Sequence, residues 1–249
     1  MRSLPVLLLA MLPAVAAAAE CTARSGPQVT PLVELYTSEG CSSCPPADRW
    51  LSGLVADAAA GRVVPVAFHV NYWDHIGWKD PFASERATRR QREIQDAAGA
   101  RYVYTPQVVV GGRDFRAWHG SSSPAALEAI RRQPARATIE LAVRADPAKG
   151  IEVVSRTAPA PGAKADGWVL LVAATQDGLS SRVTAGENRG ERLAHDFVVR
   201  DFAVHRGMGE MTSAFKSAPG WNLARMSVAA FVQDPRTGEV IQAVACRLG

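Results

Sequence analysis

The pattern of apolar and polar positions changes twice along the chain. The first stretch, MRSLPVLLLAMLPAVAAAAE, has Arg2, an apolar run from Leu4 to Val15 and small residues at Ala17, Ala18 and Ala19. That is the order of a secretory signal peptide cleaved near Ala19. Pro5 and Pro13 interrupt a run already shorter than the roughly 20 apolar residues of a membrane span. Glu20, directly before Cys21, argues against a lipid-anchored cysteine. From Pro31 onward, short apolar runs alternate with segments of helical period. PLVELYT reads as a strand, and PPADRWLSGLVADAAAG sets Trp50, Leu51, Leu54 and Val55 at helical spacing before Gly61. VVPVAFHV is a second buried strand. The next helix is predicted to open at KDPF, with Asp80 capping and Pro81 in the first helical position, and to end at Gly99. QVVV and RDFRAW flank Gly111 and Gly112 as an antiparallel hairpin. SSSPAALEAIRRQ predicts a helix capped by Ser122 or Ser123.

Strand, helix, strand, helix, strand, strand, helix is the βαβαββα order of a thioredoxin-like α/β domain, with crossovers long enough for parallel neighbours. After RRQPAR the period becomes two. TIELAVRA alternates, IEVVSR follows a turn, WVLLVAA is continuously apolar, and MSVAAFVQ and EVIQAVAC flank the turn DPRTGE. The expectation is a signal peptide (1–19), a thioredoxin-like domain (20–134) and an all-β, sandwich-like domain (135–249). In open sheets with parallel strands the crevice lies beyond their carboxyl ends, which here carry SEGCSSC and NYWDHIGW.

The four cysteines are Cys21, Cys41, Cys44 and Cys246. A signal peptide places them in an oxidising compartment, periplasmic or extracellular, where disulfides persist. Cys41 and Cys44 can close a small ring, which leaves Cys21 and Cys246 as a structural disulfide or as two unpaired thiols. The net charge of +4 is mild, and basic residues interleave with acidic ones in SERATRRQREIQD. That is a solvated helix face and not a phosphate track, so nucleic acid is not an expected partner.

Cys41 is predicted at a strand-to-helix junction, where the helix dipole and free N–H groups favour a thiolate. Cys44, one turn further on, is placed to resolve a mixed disulfide. Pro45 and Pro46 suit the first helical turn, while the carboxylate of Glu39 would oppose ionisation of Cys41. In VYTPQVVV, the Thr105–Pro106 bond is a candidate cis peptide, although a trans proline also suits a strand start. A plain structural staple is the alternative reading of the pair. In NYWDHIGWKD, Tyr72, Trp73, Asp74, His75 and Trp78 could line a groove for an apolar peptide, with Asp74 or His75 moving a proton. A packed aromatic loop with Asp74 as turn residue would leave the same pattern. His69, inside its strand, reads as a hydrogen-bonded core residue. His195, in GENRGERLAHDFVVR with Glu187, Asn188 and Arg200, belongs either to a charged turn or to a contact between domains or a substrate groove. A lone C-x-x-C supplies only half of a structural zinc site, though two thiolates and an imidazole suffice for Cu(I). The sequence has no phosphate loop, dinucleotide fingerprint or zinc-protease motif, so no cofactor is predicted.

VELYTSEGCSSCPPAD, FHVNYWDHIGWKDPFAS, RQR, VYTPQVVVGG and GENRGERLAHDFVVR resemble the signature segments of a secreted bacterial, thioredoxin-like family, domain of unknown function 1223. The resemblance covers almost the whole mature chain. It implies that Cys41 and Cys44 are the site pair and Pro106 the cis proline facing them, and it brings no established reaction. Asn71 stands where relatives are expected to carry an acidic residue. The function expected is that of an exported thiol–disulfide oxidoreductase, exchanging disulfides with exported partner proteins through Cys41, with Thr105 and Pro106 shaping the docking groove. The alternative is a Cu(I)-binding or ligand-binding protein whose cysteine pair is a metal site or a structural disulfide.

Overall fold

The computed structural model describes residues 19–249, so the expected signal peptide lies outside the described residues except for Ala19. The chain forms β1 (Ala19–Arg24), β2 (Leu32–Thr37), α1 (Pro45–Ser52), α2 (Val55–Ala59), β3 (Val64–His69), α3 (Glu85–Ala97), β4 (Gln107–Val110), β5 (Arg113–Asp114) and α4 (Ser123–Arg131). It continues through β6 (Ala137–Asp146), β7 (Gly150–Pro159), β8 (Val169–Gln176), β9 (Leu179–Arg182), β10 (Arg192–His195), β11 (Val198–Arg206), β12 (Gly209–Phe215), β13 (Met226–Gln233) and β14 (Val240–Arg247). Eight strands make one mixed sheet in the order β14-β13-β8-β11-β3-β2-β4-β5. Four more make a second sheet, β1-β6-β7-β12, and β9 and β10 form a hairpin.

The apolar pattern explains the layering. In β6, Ala137, Ile139, Leu141, Val143 and Ala145 alternate with more accessible residues and form one apolar cluster with Leu170, Val172 and Ala174 of β8 and Val228, Ala230 and Val232 of β13. The intervening residues Leu171, Ala173, Ala229 and Phe231 cluster with Leu32, Tyr36, Val66 and Phe68, and with Ala87 and Ile94 of α3. WVLLVAA and MSVAAFVQ are continuously apolar because both faces of these strands are covered. A third cluster places Ala47 and Leu51 of α1 and Leu127 of α4 against Val33, Leu35, Ala67 and Val108. Each large aliphatic or aromatic side chain buried this way contributes about 1.5–3 kcal/mol.

The expected thioredoxin-like α/β domain followed by a separate β sandwich is overturned. The described residues are mostly β, with 41% of them in strands against 18% in helices. The large sheet also takes strands from both halves of the chain. The join is at β11, which pairs antiparallel with β8 along its length and parallel with β3 at Val198 and Ala67. The Ala67 N–H donates to the carbonyl of Phe197 over 2.8 Å. Strands that period and composition assign to a sandwich of their own therefore extend the first sheet.

Smaller differences have local causes. The helix expected over 45–61 breaks into α1 and α2 around Gly53, whose N–H is shared between the carbonyls of Arg49 and Trp50. α3 begins after Ser84, whose Oγ accepts the Ala87 N–H, and not at Asp80. The Asp80 carboxylate is engaged elsewhere. β1 and β9 to β12 have no counterpart in the sequence reading. Cys21 of β1 and Cys246 of β14 form a disulfide, with Cα atoms 6.0 Å apart, across 225 residues of sequence.

Candidate functional site

β2 ends at Thr37 and the chain turns through Ser38–Cys44 into α1, with the Cys41 N–H donating to the Ser38 carbonyl and the Cys44 N–H to the Cys41 carbonyl. Pro45 and Pro46 open the helix, where a missing N–H costs no intrahelical bond. Cys41 and Cys44 are joined in a disulfide. The structure places the pair at the predicted strand-to-helix junction, but Cys41 is only 1% exposed and Cys44 0%. An open, ionised Cys41 is not what the fold presents.

The turn that carries the pair is hydrogen bonded to residues from the second half of the chain. The side-chain amide of Asn188 donates to the carbonyls of Glu39 (2.8 Å) and Cys41 (3.0 Å). Glu187 accepts both the N–H and the hydroxyl of Ser42, at 2.9 and 2.7 Å. These contacts hold the carboxylate of Glu187 below the ordinary glutamate range.

Behind the disulfide lies a buried cluster of acids and imidazoles. Glu39, two residues before Cys41, accepts from Trp78 Nε1 at 2.9 Å and meets His195 Nε2 at 3.0 Å. Its own N–H donates to Asp80 Oδ2, which also lies 2.7 Å from His69 Nδ1. The His69 and His195 rings stand edge to face, centroids 4.8 Å apart. Asp48, one turn after Cys44, lies 3.9 Å from His195 Nδ1, beyond hydrogen-bond reach. Burial raises the Asp48 carboxyl above the ordinary aspartate value, against the opposing pull of His195 and His69. Burial also works against a charge on His69, but Asp80, with Asp48 and Glu39 beyond it, outweighs burial and holds the ring above its usual value. Asp80 is lowered on balance, because His69 and two N–H donors outweigh its burial. Three buried atoms, His69 Nε2, His195 Nδ1 and Thr37 Oγ1, have no hydrogen-bond partner.

Of the other predicted site residues, the Thr105–Pro106 peptide is cis. Thr105 Oγ1 accepts from Trp73 Nε1 at 2.7 Å, and Trp73 packs so closely on Gly40 that a Cβ there would lie 2.9 Å from it. Trp73 thus ties the Thr-Pro loop to the residue before Cys41. Trp78 and His195 join the buried cluster. Asp74 instead accepts the Asp80 N–H and opens a 3₁₀ turn, and His75 is exposed, with Nδ1 on the Tyr72 carbonyl. Tyr72 packs in the core beside α3, and Asn71 is hydrogen bonded to Thr88. An open aromatic surface lies at Pro106 itself, a cleft of about 360 Å³ lined by Tyr102, Tyr104, Pro106, Arg116 and Trp118. A larger cleft of about 470 Å³, lined in part by Arg90, Trp168 and Arg206, contains none of the cysteine-site residues.

The sequence reading passed over Asp48, took Asp80 for a helix cap and His69 for a core residue, and gave Glu39 only a charge effect on Cys41. Asp48 falls four residues after Cys44, on the same helix face, and that spacing was the available signal. Among the described residues, no three His, Cys, Asp or Glu side chains are grouped to hold a metal ion, and no helix is long and apolar enough to cross a membrane.

Fold and site together define a mostly β protein in which a C-x-x-C disulfide is set against buried carboxylates and imidazoles. The chain belongs to the bacterial family described as protein of unknown function (DUF1223), whose profile matches residues 32–233. None of the curated proteins compared matches it. In fold it is similar to protein AGR_C_4864 from Agrobacterium tumefaciens, at 24% identity and TM-score 0.65, covering 89% of this chain and 96% of that one. It is similar as well to HBP35 of Porphyromonas gingivalis, at 15% identity and TM-score 0.63, covering 89% and 76% respectively.

Proposed function

We propose that this is an exported protein that exchanges disulfides with thiols of partner proteins through Cys41 and Cys44. The observation that carries the reading is the cluster of Glu39, Asp48, His69, Asp80 and His195 behind the bond. A staple has no use for it, since buried charges are costly and an apolar filling of the same volume is commonly as stable or more so. Asp48, His69 and Asp80, shifted by burial and by their charged neighbours, are of the kind that functional sites collect beside a reactive pair.

In this reading a partner thiolate attacks Cys41 Sγ. The Cys41–Cys44 bond breaks, and its electron pair goes to the Cys44 sulfur, which needs a proton in a place closed to water. In this reading Asp48, one turn after Cys44 and with its carboxyl raised by burial, is the group assigned to supply it, and His195 Nδ1, unpartnered and 3.9 Å away, faces that carboxyl. A second partner thiol then attacks the mixed disulfide, leaving the partner oxidised and the pair as two thiols.

The burial of both sulfurs favours a second reading, a ligand-binding protein in which the bond is permanent. A Cys44→Ser variant, expressed with its signal segment, separates the two. Trapping of exported proteins on Cys41 as mixed disulfides supports exchange. A free Cys41 with nothing attached, in a chain whose wild-type bond resists thiols under native conditions, removes it. The Cu(I) alternative loses support, because the described residues offer no three-ligand group and His69 is engaged with Asp80.

A further inference from the structure

The turn between Gly186 and Gly190, which the sequence leaves open as a charged turn, an interdomain contact or part of a substrate groove, makes four hydrogen bonds to the cysteine turn. Its end glycines have φ of 73° and 95°, a region only glycine adopts freely. A Cβ on Gly186 would press within 3.2–3.4 Å of Ile76 and Trp78. The turn is therefore shaped to lie on the loop after β3 and deliver Asn188 to the cysteines. Asn188 is itself buried, and it satisfies two main-chain carbonyls, those of Glu39 and Cys41, which otherwise face the route to the disulfide.

We propose that Asn188 is a placeholder for the main chain of the partner, and that the Gly186–Gly190 turn selects which thiols reach Cys41. Cys41 is 1% exposed, so a thiol reaches it only when its surroundings open, and the turn bonded to Glu39, Cys41 and Ser42 is the part we take to lift. Lifting leaves the Glu39 and Cys41 carbonyls without the Asn188 amide, and a partner that covers them again without offering a donor leaves acceptors buried and unpaired, which is costly. An extended peptide around a cysteine brings N–H groups to replace it, and a small dithiol brings none. The preferred substrate is accordingly a cysteine in an extended, unfolded segment. Asn188 acts on access and positioning and does not touch the exchanging electrons.

The inference rests on the exchange reading, and the test keeps the two apart. Reduction of the Cys41–Cys44 bond is timed with dithiothreitol and with a short cysteine peptide, in wild type, Asn188→Ala and Glu187→Ala. Thermal unfolding confirms that each variant is folded, and hydrogen exchange at the Ser42 N–H reports whether the turn is lifted. With its competitor removed, the peptide should react roughly tenfold or more faster with Asn188→Ala, a larger gain than dithiothreitol shows. Methylating the peptide N–H groups should abolish the difference. Glu187→Ala, which frees Ser42 alone, should speed Ser42 exchange and both reagents alike. Equal gains for peptide and dithiothreitol in Asn188→Ala, or no gain, overturn the placeholder role while leaving exchange intact. A bond inert to both reagents in all three proteins overturns exchange as well.

Discussion

His195 Nε2 lies 3.0 Å from Oε1 of Glu39, although 156 residues separate them in sequence. Glu39 stands beside the cysteine turn and His195 ends a strand of the β9–β10 hairpin, so the pair spans the join between the two halves of the chain. Trp78 completes the coordination of the carboxylate from a third segment. The environment of the disulfide is thus a property of the whole fold.

His69 and Asp80 should make stability fall on both sides of a plateau. The His69 pKa is raised, so its contribution is full below the ordinary value of 6.5 and is lost as pH rises through the raised value. The Asp80 pKa is lowered, so its contribution is present above the ordinary 3.8 and is lost as pH falls through the lowered value. Thermal midpoints across the pH range should peak between these limits. His69→Gln should flatten the alkaline limb; an unchanged alkaline limb would show that the ring does not titrate with folding.

Asp48 has the opposite sign to Asp80. Its raised pKa means a contribution present below 3.8 and lost as pH rises through the raised value, above which a buried carboxylate opposes folding. Asp48→Asn should therefore stabilise the protein at pH values above the raised one, by about 1.4 kcal/mol for each pKa unit removed, and should slow thiol reduction of the disulfide by roughly 10²-fold if Asp48 supplies the proton. Urea unfolding and stopped-flow reduction measure the two effects. A destabilised variant with an unchanged reduction rate would make Asp48 a structural acid only.

Gly112 has a φ of 87°, and a Cβ there would lie 1.7 Å from the carbonyl oxygen of Gly238. The two turns that end the β4–β5 and β13–β14 hairpins meet at this point. Gly112→Ala should cost on the order of 3 kcal/mol or more, because backbone and not a flexible side chain must move. Denaturant midpoints would check this, and a loss under about 1 kcal/mol would mean that the turns separate easily.

The Cys21–Cys246 bridge closes a loop of 225 residues. In the chain-entropy account a loop of this size contributes about 5 kcal/mol by restricting the unfolded chain. The Cys21→Ala/Cys246→Ala double variant should lose stability up to that figure while its Cys41–Cys44 bond reacts with thiols at the wild-type rate. A changed rate would couple the bridge to the site.

The sequence revealed what local pattern controls. TIELAVRA alternates because one face of β6 is covered, and the junction carrying Cys41 follows from an apolar run ending just before a double proline. Strand order was not legible, because MSVAAFVQ has the same composition in a separate sandwich as in the middle of a large sheet. The cluster was not legible either. Its members at 39, 48, 69, 80 and 195 meet only through long-range pairing, and Asp80 has the local features of a helix cap until His69 and the Glu39 N–H claim its carboxylate. Cys41 looked open because the turn that covers it lies about 145 residues downstream in sequence.

The seam at Ala67 and Val198 bears on the cysteines as well. Asn188 and His195 lie in the segment that leads into β11, and both reach the cysteine turn in the fold where β11 rests on β3. In the exchange reading, the seam and the turn beside it are therefore one device, and loosening either would change who can meet the sulfurs.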